Sequence, residues 1–194
     1  MAFQRISLED MSVERIKRDL LPVLSLDGAC ILEGIESGPI DSLYRELRAF
    51  LVPIPVHRPT PSFNTQSIFF PDDFSRPDYS FPDLALQNAF GRVFSKYAFF
   101  AEIFGTRTSF LAGVRYIQTD PAQLLYHVDP HIDEAYTLAF CPQGEALLVL
   151  VRENVIWEVL GLDEALLLAP GIPHAIGNSG VKDRYSLIMD FLME

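Results

Sequence analysis

The chain has 194 residues, a mass of 21.9 kDa and a formal net charge of −11, with 49% apolar and 21% charged residues. That length and apolar content suit a single domain with a sizeable core and exclude disorder over most of the chain. No cluster of Lys and Arg offsets the acidic balance, so neither nucleic acid nor an anionic membrane surface is an expected partner.

Residues 1–50 read as helical, with breaks. Arg5, Glu9 and Asp10 precede any apolar run, which is unlike a signal peptide, and no apolar stretch reaches the roughly 18 residues of a membrane span. Two cysteines, Cys30 and Cys141, lie too far apart for a Cys-x-x-Cys motif. Reduced thiols and a cytoplasmic location are the expectation. Ser12 is a candidate N-cap for a helix carrying Met11, Val13, Ile16 and Leu20, which Pro22 is expected to end or interrupt. The short apolar stretch Val23–Leu26 then meets the turn signal Asp27-Gly28. Ile40, Leu43, Leu47, Phe50 and Leu51 have the spacing of an amphipathic helix.

Residues 52–82 contain seven of the 14 prolines, together with Phe63, Phe69, Phe70, Phe74, Tyr79 and Phe81. Proline restricts helix and central strand alike. This composition predicts an ordered loop with extended pieces, placed as a lid or binding segment. Residues 83–104 give the strongest helical pattern, through Leu84, Phe90, Val93, Phe94, Tyr97, Phe100 and Phe104, with Gly105 as its stop. After residue 110 the period shortens. Candidate strands fall at 111–118, 123–128, 135–141, 146–151, 155–159, 165–169, 173–177 and 185–192. Eight short strands suit a mainly β sandwich or jelly roll. The expected organisation is one domain over 1–194: residues 1–110 as helical and loop support with the lid at 52–82, and 111–194 as the β core.

Three of the four histidines lie in this β half. The stretch Tyr126-His127-Val128-Asp129-Pro130-His131-Ile132-Asp133 contains two overlapping His-x-Asp units. In a strand, residues i and i+2 share a face, so each unit presents an imidazole beside a carboxylate. His174 is the remaining histidine able to complete the set. Two histidines and one carboxylate with open positions suit a non-haem Fe(II) centre. Arg184 opens the nearly apolar run Arg-Tyr-Ser-Leu-Ile-Met-Asp-Phe, where a guanidinium would take a carboxylate in bidentate fashion, with Ser186 on its own strand face. Arg115 lies on the strand before the motif and could hold a substrate carboxylate. Tyr126 and Tyr136 flank the motif, Asn64 and Gln66 sit within the aromatic loop, and Trp157 lies farther along. Plainer readings stand beside these: a hydrogen-bonded core histidine at 174, an ion pair of Arg184 with Asp183, sheet packing for Trp157 and a turn role for Asn178.

From residue 114 onward the chain resembles Fe(II)/2-oxoglutarate-dependent oxygenases, through His127-x-Asp129, His174 and Arg184. The resemblance is nearest to the aspartyl/asparaginyl β-hydroxylase-like branch, which includes small-molecule proline hydroxylases. Leu138, the turn Cys141-Pro142-Gln143-Gly144, Trp157, His174, Asn178 and Arg184 match its order. The resemblance implies a double-stranded β-helix, cupin-like, with N-terminal supporting helices. It implies Fe(II) held by His127, Asp129 and His174, and 2-oxoglutarate clamped by Arg184 with Ser186. It also implies O₂ as co-substrate and hydroxylation as the outcome, with desaturation or ring closure as variants. Tyr136 and Leu138 stand where many members of that branch place an Arg or a second His, which makes Tyr136 a cofactor-binding candidate. His131/Asp133 is the rival metal pair. The 47-residue separation from His127 to His174 and the 11-residue offset to Leu138 favour the first pair, leaving His131 at the pocket mouth. The expected substrate is a small, partly apolar molecule, such as an amino acid or a biosynthetic intermediate, bound by a monomer or homodimer. The competing classes are a cupin-type metalloenzyme independent of 2-oxoglutarate and a non-enzymatic β-barrel binding module.

Overall fold

The computed structural model describes residues 3–9, 12–47, 65–71, 84–116, 135–143, 146–152, 154–161, 163–172, 174–177 and 184–193. For 65–71, 107–116, 141–143, 146–152, 154–159, 174–177 and 184–186 it describes the backbone course alone. The chain begins with β1 (Arg5–Ser7), α1 (Val13–Asp27) and β2 (Ala29–Glu33), in which the two strands run parallel. Parallel neighbours need a crossover, and α1 is that crossover. Neither strand is expected from the sequence reading of 1–50 as helical. β2 is a run of Ala29, Cys30, Ile31 and Leu32, all fully buried, and a short strand covered on both faces shows no alternation to read.

Ser12 does cap α1, its Oγ accepting the Arg15 N–H at 3.3 Å, and Gly28 ends the helix in the left-handed region at φ 75°. Pro22, expected to stop the helix, lies inside it. Pro22 and Arg18, whose carbonyl loses its helical partner there, are both exposed, so water can replace the missing bond. Ile16, Leu20, Val23 and Leu24 hold the helix from the buried side.

α2 (Ser37–Leu47) buries Ile40, Leu43 and Leu47. β3 (Thr65–Pro71) follows, an extended piece within the proline-rich stretch; the rest of 52–82 lies outside the described residues. The single helix expected over 83–104 is two, α3 (Leu84–Tyr97) and α4 (Phe99–Phe104), meeting at Ala98. The break lets Tyr97 pack on Phe140 at 4.8 Å while Phe104 stacks on Tyr136 at 4.1 Å. The strands β4 (Arg107–Tyr116), β5 (Ala135–Gln143), β6 (Ala146–Arg152), β7 (Asn154–Leu160), β8 (Glu164–Leu168), β9 (His174–Gly177) and β10 (Arg184–Leu192) complete the chain. The strand expected at 123–128 lies outside the described residues.

The expected mainly β domain is therefore a mixed α/β fold. One sheet has the order β1-β2-β8-β5-β10-β4-β3, and a smaller one the order β7-β6-β9. The large sheet separates two apolar clusters. Cys30, Leu32, Leu138, Phe140, Leu167, Leu187, Met189 and Phe191 join the buried faces of all four helices. Their sequence neighbours Ala29, Ile31, Ala139, Leu166 and Leu168 join Leu160 of the small sheet and Ile172 in the second cluster. The period-two pleat sends alternate residues to opposite faces, so each central strand is apolar on both.

Candidate active site

β10 sets the geometry of the candidate site. Leu187, Met189 and Phe191 belong to the helix-side cluster, and Ile188 packs against the second one. The register shifts flanking β10 place the extra residues on β4 and β5, so alternation along β10 is unbroken. Arg184 and Ser186 therefore fall on the second face, with Ile188 and Asp190. Their partners on β4 are Tyr116 and Val114, and beyond these lie Thr65 and Ser67 of β3.

In the small sheet, His174 opens β9 opposite Leu150 of β6, which in turn faces Ile156 of β7. Ile156 and Leu160 share a face of β7, and Leu160 packs with Ala139, Leu166 and Leu168 of the large sheet. His174 and the Arg184/Ser186 pair are thus assigned to the two sheet faces that meet at the second cluster. His127, Asp129, His131, Asp133, Tyr126 and Asn64 lie outside the described residues. Among the described residues no group of three or more His, Cys, Asp and Glu gathers to hold a metal ion.

Four further candidates fall elsewhere. Tyr136 pairs with Phe191, packs against the helix-side cluster and stacks on Phe104 with an interplanar angle of 6°. It stands on the face of the large sheet opposite to the row of Ile188 and Asp190. Its pleat parity, one residue out of step with Thr137, decides this. Arg115 pairs with Tyr185 and with Gln66, so both Arg115 and Gln66 fall on the row of Tyr185, again opposite to Arg184 and Ser186. Trp157 shares a row with Val149 and Ala175, the other face of the small sheet from His174.

A pair that sequence reasoning passed over stands on the Arg184 face. Asp190 and Thr137 are opposite one another on β10 and β5, 5% and 4% exposed, and the Thr137 hydroxyl donates to Asp190 Oδ1 at 2.7 Å. A carboxylate in an apolar sheet needs such donors to remain there. The signal was present: Asp190 is the single acid inside Leu187–Leu192.

No family model matches the chain, and no curated protein matches it. Solved structures do. An oxidoreductase of the 2OG-Fe(II) oxygenase family from Burkholderia pseudomallei is similar at 15% identity and a TM-score of 0.64, over 99% of this chain and 95% of the other. The dioxygenase for auxin oxidation 1 from Arabidopsis thaliana, in a binary complex with 2-oxoglutarate, gives 12% identity and a TM-score of 0.63, over 100% of this chain and 93% of the other. A full-length Neurospora crassa protein, crystallised in complex with α-ketoglutarate, gives 13% and 0.66, over 97% of this chain and 84% of the other. The chain has the fold of these proteins.

Proposed function

We propose that the chain is an Fe(II)/2-oxoglutarate-dependent oxygenase acting on a small molecule, an amino acid or a biosynthetic intermediate. The observation that carries this reading is the assignment of His174 and of Arg184 with Ser186 to sheet faces that meet at one cluster. The strand orders β4-β10-β5-β8 and β7-β6-β9 support a jelly-roll core, because the chain from β4 onward passes repeatedly between the sheets. The similar solved structures that hold 2-oxoglutarate support the co-substrate.

In this reading His127, Asp129 and His174 hold the metal, with His131 and Asp133 as the rival pair. Two imidazole nitrogens and one carboxylate oxygen suit Fe(II) and leave positions open. When bound, iron and 2-oxoglutarate supply the oxidising power: O₂ is consumed and 2-oxoglutarate is converted to succinate and CO₂ as the substrate is oxidised. The protein's part is placement. The Arg184 guanidinium takes the carboxylate far from the metal through two parallel N–H donors, and the Ser186 hydroxyl adds a third. The apolar residues of the second cluster keep water from the metal's surroundings. The segment 52–82 serves as the cover.

The test is succinate formation by the purified chain with Fe(II), ascorbate and 2-oxoglutarate over a panel of amino acids and related acids. His174→Ala and His127→Ala are expected to abolish turnover, and His131→Ala to leave it measurable. Arg184→Met is expected to raise the KM for 2-oxoglutarate by about tenfold or more, the loss of a charge-assisted pair. Failure of the chain to bind 2-oxoglutarate in the presence of Mn(II) removes this reading in favour of a cupin-type enzyme that does not use it.

A further inference from the structure

The stretch Cys141-Pro142-Gln143-Gly144, expected from the sequence to be a turn, continues β5 as far as Gln143. β5 lies between β8 and β10 in the large sheet. A proline in such a strand brings no N–H to the ladder and is tolerated there at a bulge. The register shows that bulge. Residues 187–192 of β10 pair one for one with 140–135 of β5, and Tyr185 pairs with Gln143. Between these pairs the single residue Ser186 stands opposite two, Cys141 and Pro142.

The other flank of β10 is regular at this point. Residues 184–190 pair with β4 without a shift, Arg184 with Tyr116 and Ser186 with Val114. A bulge bends the strand that carries the extra residue and increases its twist. β4 therefore keeps β10 in register through Arg184 and Ser186, while β5 turns away beside them. In an unbroken antiparallel ladder the residue opposite Ser186 would hold its Cα about 4.5–5.5 Å away. The interruption falls at the two polar positions that open β10, and the apolar remainder of the strand pairs with β5 regularly.

We propose that the bulge at Cys141 and Pro142 positions the co-substrate clamp. It turns β5 away from Arg184 and Ser186 and leaves, on their β5 side, the room in which the far carboxylate of a 2-oxo diacid is seated. This rests on the oxygenase reading. Pro142 is a positioning residue, acting through Arg184 and Ser186. Deleting it removes the bulge and spares the flanking register: Gln143 still meets Tyr185, Phe140 still meets Leu187, and Ser186 is left with the single partner Cys141.

Calorimetric titration of the full chain with Mn(II) present tests it, using 2-oxoglutarate and 2-oxobutanoate, which lacks the far carboxylate. The parent is expected to bind 2-oxoglutarate about tenfold or more tighter than 2-oxobutanoate. Deletion of Pro142 is expected to bring the two within about threefold, with the affinities for 2-oxobutanoate and Mn(II) unchanged. In an Arg184→Met background the deletion is expected to change nothing further, because both changes remove one interaction. A second variant deletes Pro142 and inserts a glycine between Gln143 and Gly144; it keeps the chain length and is expected to behave as the deletion does. Pro142→Gly keeps two residues opposite Ser186 and is expected to keep the preference. A deletion variant that retains the full preference, deletion variants that lose both ligands alike, a further loss in the Arg184→Met background, or loss of the preference in Pro142→Gly overturns the proposal and leaves the oxygenase reading in place. A parent chain that binds neither acid, or both equally, removes that reading and the proposal with it.

Discussion

Cys30 shows how burial sets the chemistry of a side chain. It is fully buried in the helix-side cluster, and burial first, then the negative charge of Asp27, pushes its thiol up to about 12. Between pH 9 and that value the unfolded chain loses the thiol proton and the folded chain keeps it. Stability therefore falls as pH rises through this window, by about 1.4 kcal/mol per pH unit for one such group. Tyr97, raised to about 12 by burial, adds in the same direction above pH 10. Denaturant titrations should give a midpoint that falls above pH 9, and Cys30→Ala should flatten the first part of that fall. A midpoint that does not move up to pH 11 would refute the assignment. Residue identity could be read from the sequence at the candidate site, but facing could not. His174, Arg184 and Ser186 were singled out because their chemistry is rare in an apolar strand. The face that Tyr136, Arg115 and Gln66 take was not legible, because a shift of one residue in the pleat reverses the face, and nothing local to those residues records that parity.

Elements were legible where their buried stripe is one-sided. The stripe Leu86, Ala89, Phe90, Val93 and Tyr97 announces α3, and Ile40, Leu43 and Leu47 announce α2. β1 and β2 were not legible, because a three-residue strand carries no period and a doubly covered one carries no alternation. Pro22 misled for a related reason. Its local rule is sound, but four buried side chains of α1 override it. Replacing it restores the lost hydrogen bond at an exposed position without disturbing the core. Pro22→Ala is expected to raise stability by about 1–3 kcal/mol, measured as a higher urea midpoint with an unchanged m-value. A lower midpoint would mean that the proline's restriction of the unfolded chain outweighs the strained helix.

At the scale of the whole molecule, the large sheet divides labour. One face carries the helices and most of the apolar core; the other carries the surface proposed to hold the metal and co-substrate. A ligand bound there stabilises the folded state by mass action, about 2.7 kcal/mol at a hundredfold excess over its Kd. For a chain of this size that corresponds to a Tm rise of roughly 5–10 °C. Mn(II) with 2-oxoglutarate is expected to produce such a rise, EDTA to reverse it, and His174→Ala to abolish it. Tyr136→Phe, on the far side of the sheet, should keep it. The same shift in His174→Ala would show that the ligands bind elsewhere.

The sheet also has margins, and a margin is a row of backbone donors and acceptors ready to recruit a stranger's strand. At one of them stands β1, only three residues long, with Arg5 paired to Glu33 of β2 and to Glu164 of β8. A template so brief, and so charged across its width, offers little for another molecule to zip onto. The smallest element of the fold is thus placed where it discourages the molecules from stacking into fibres.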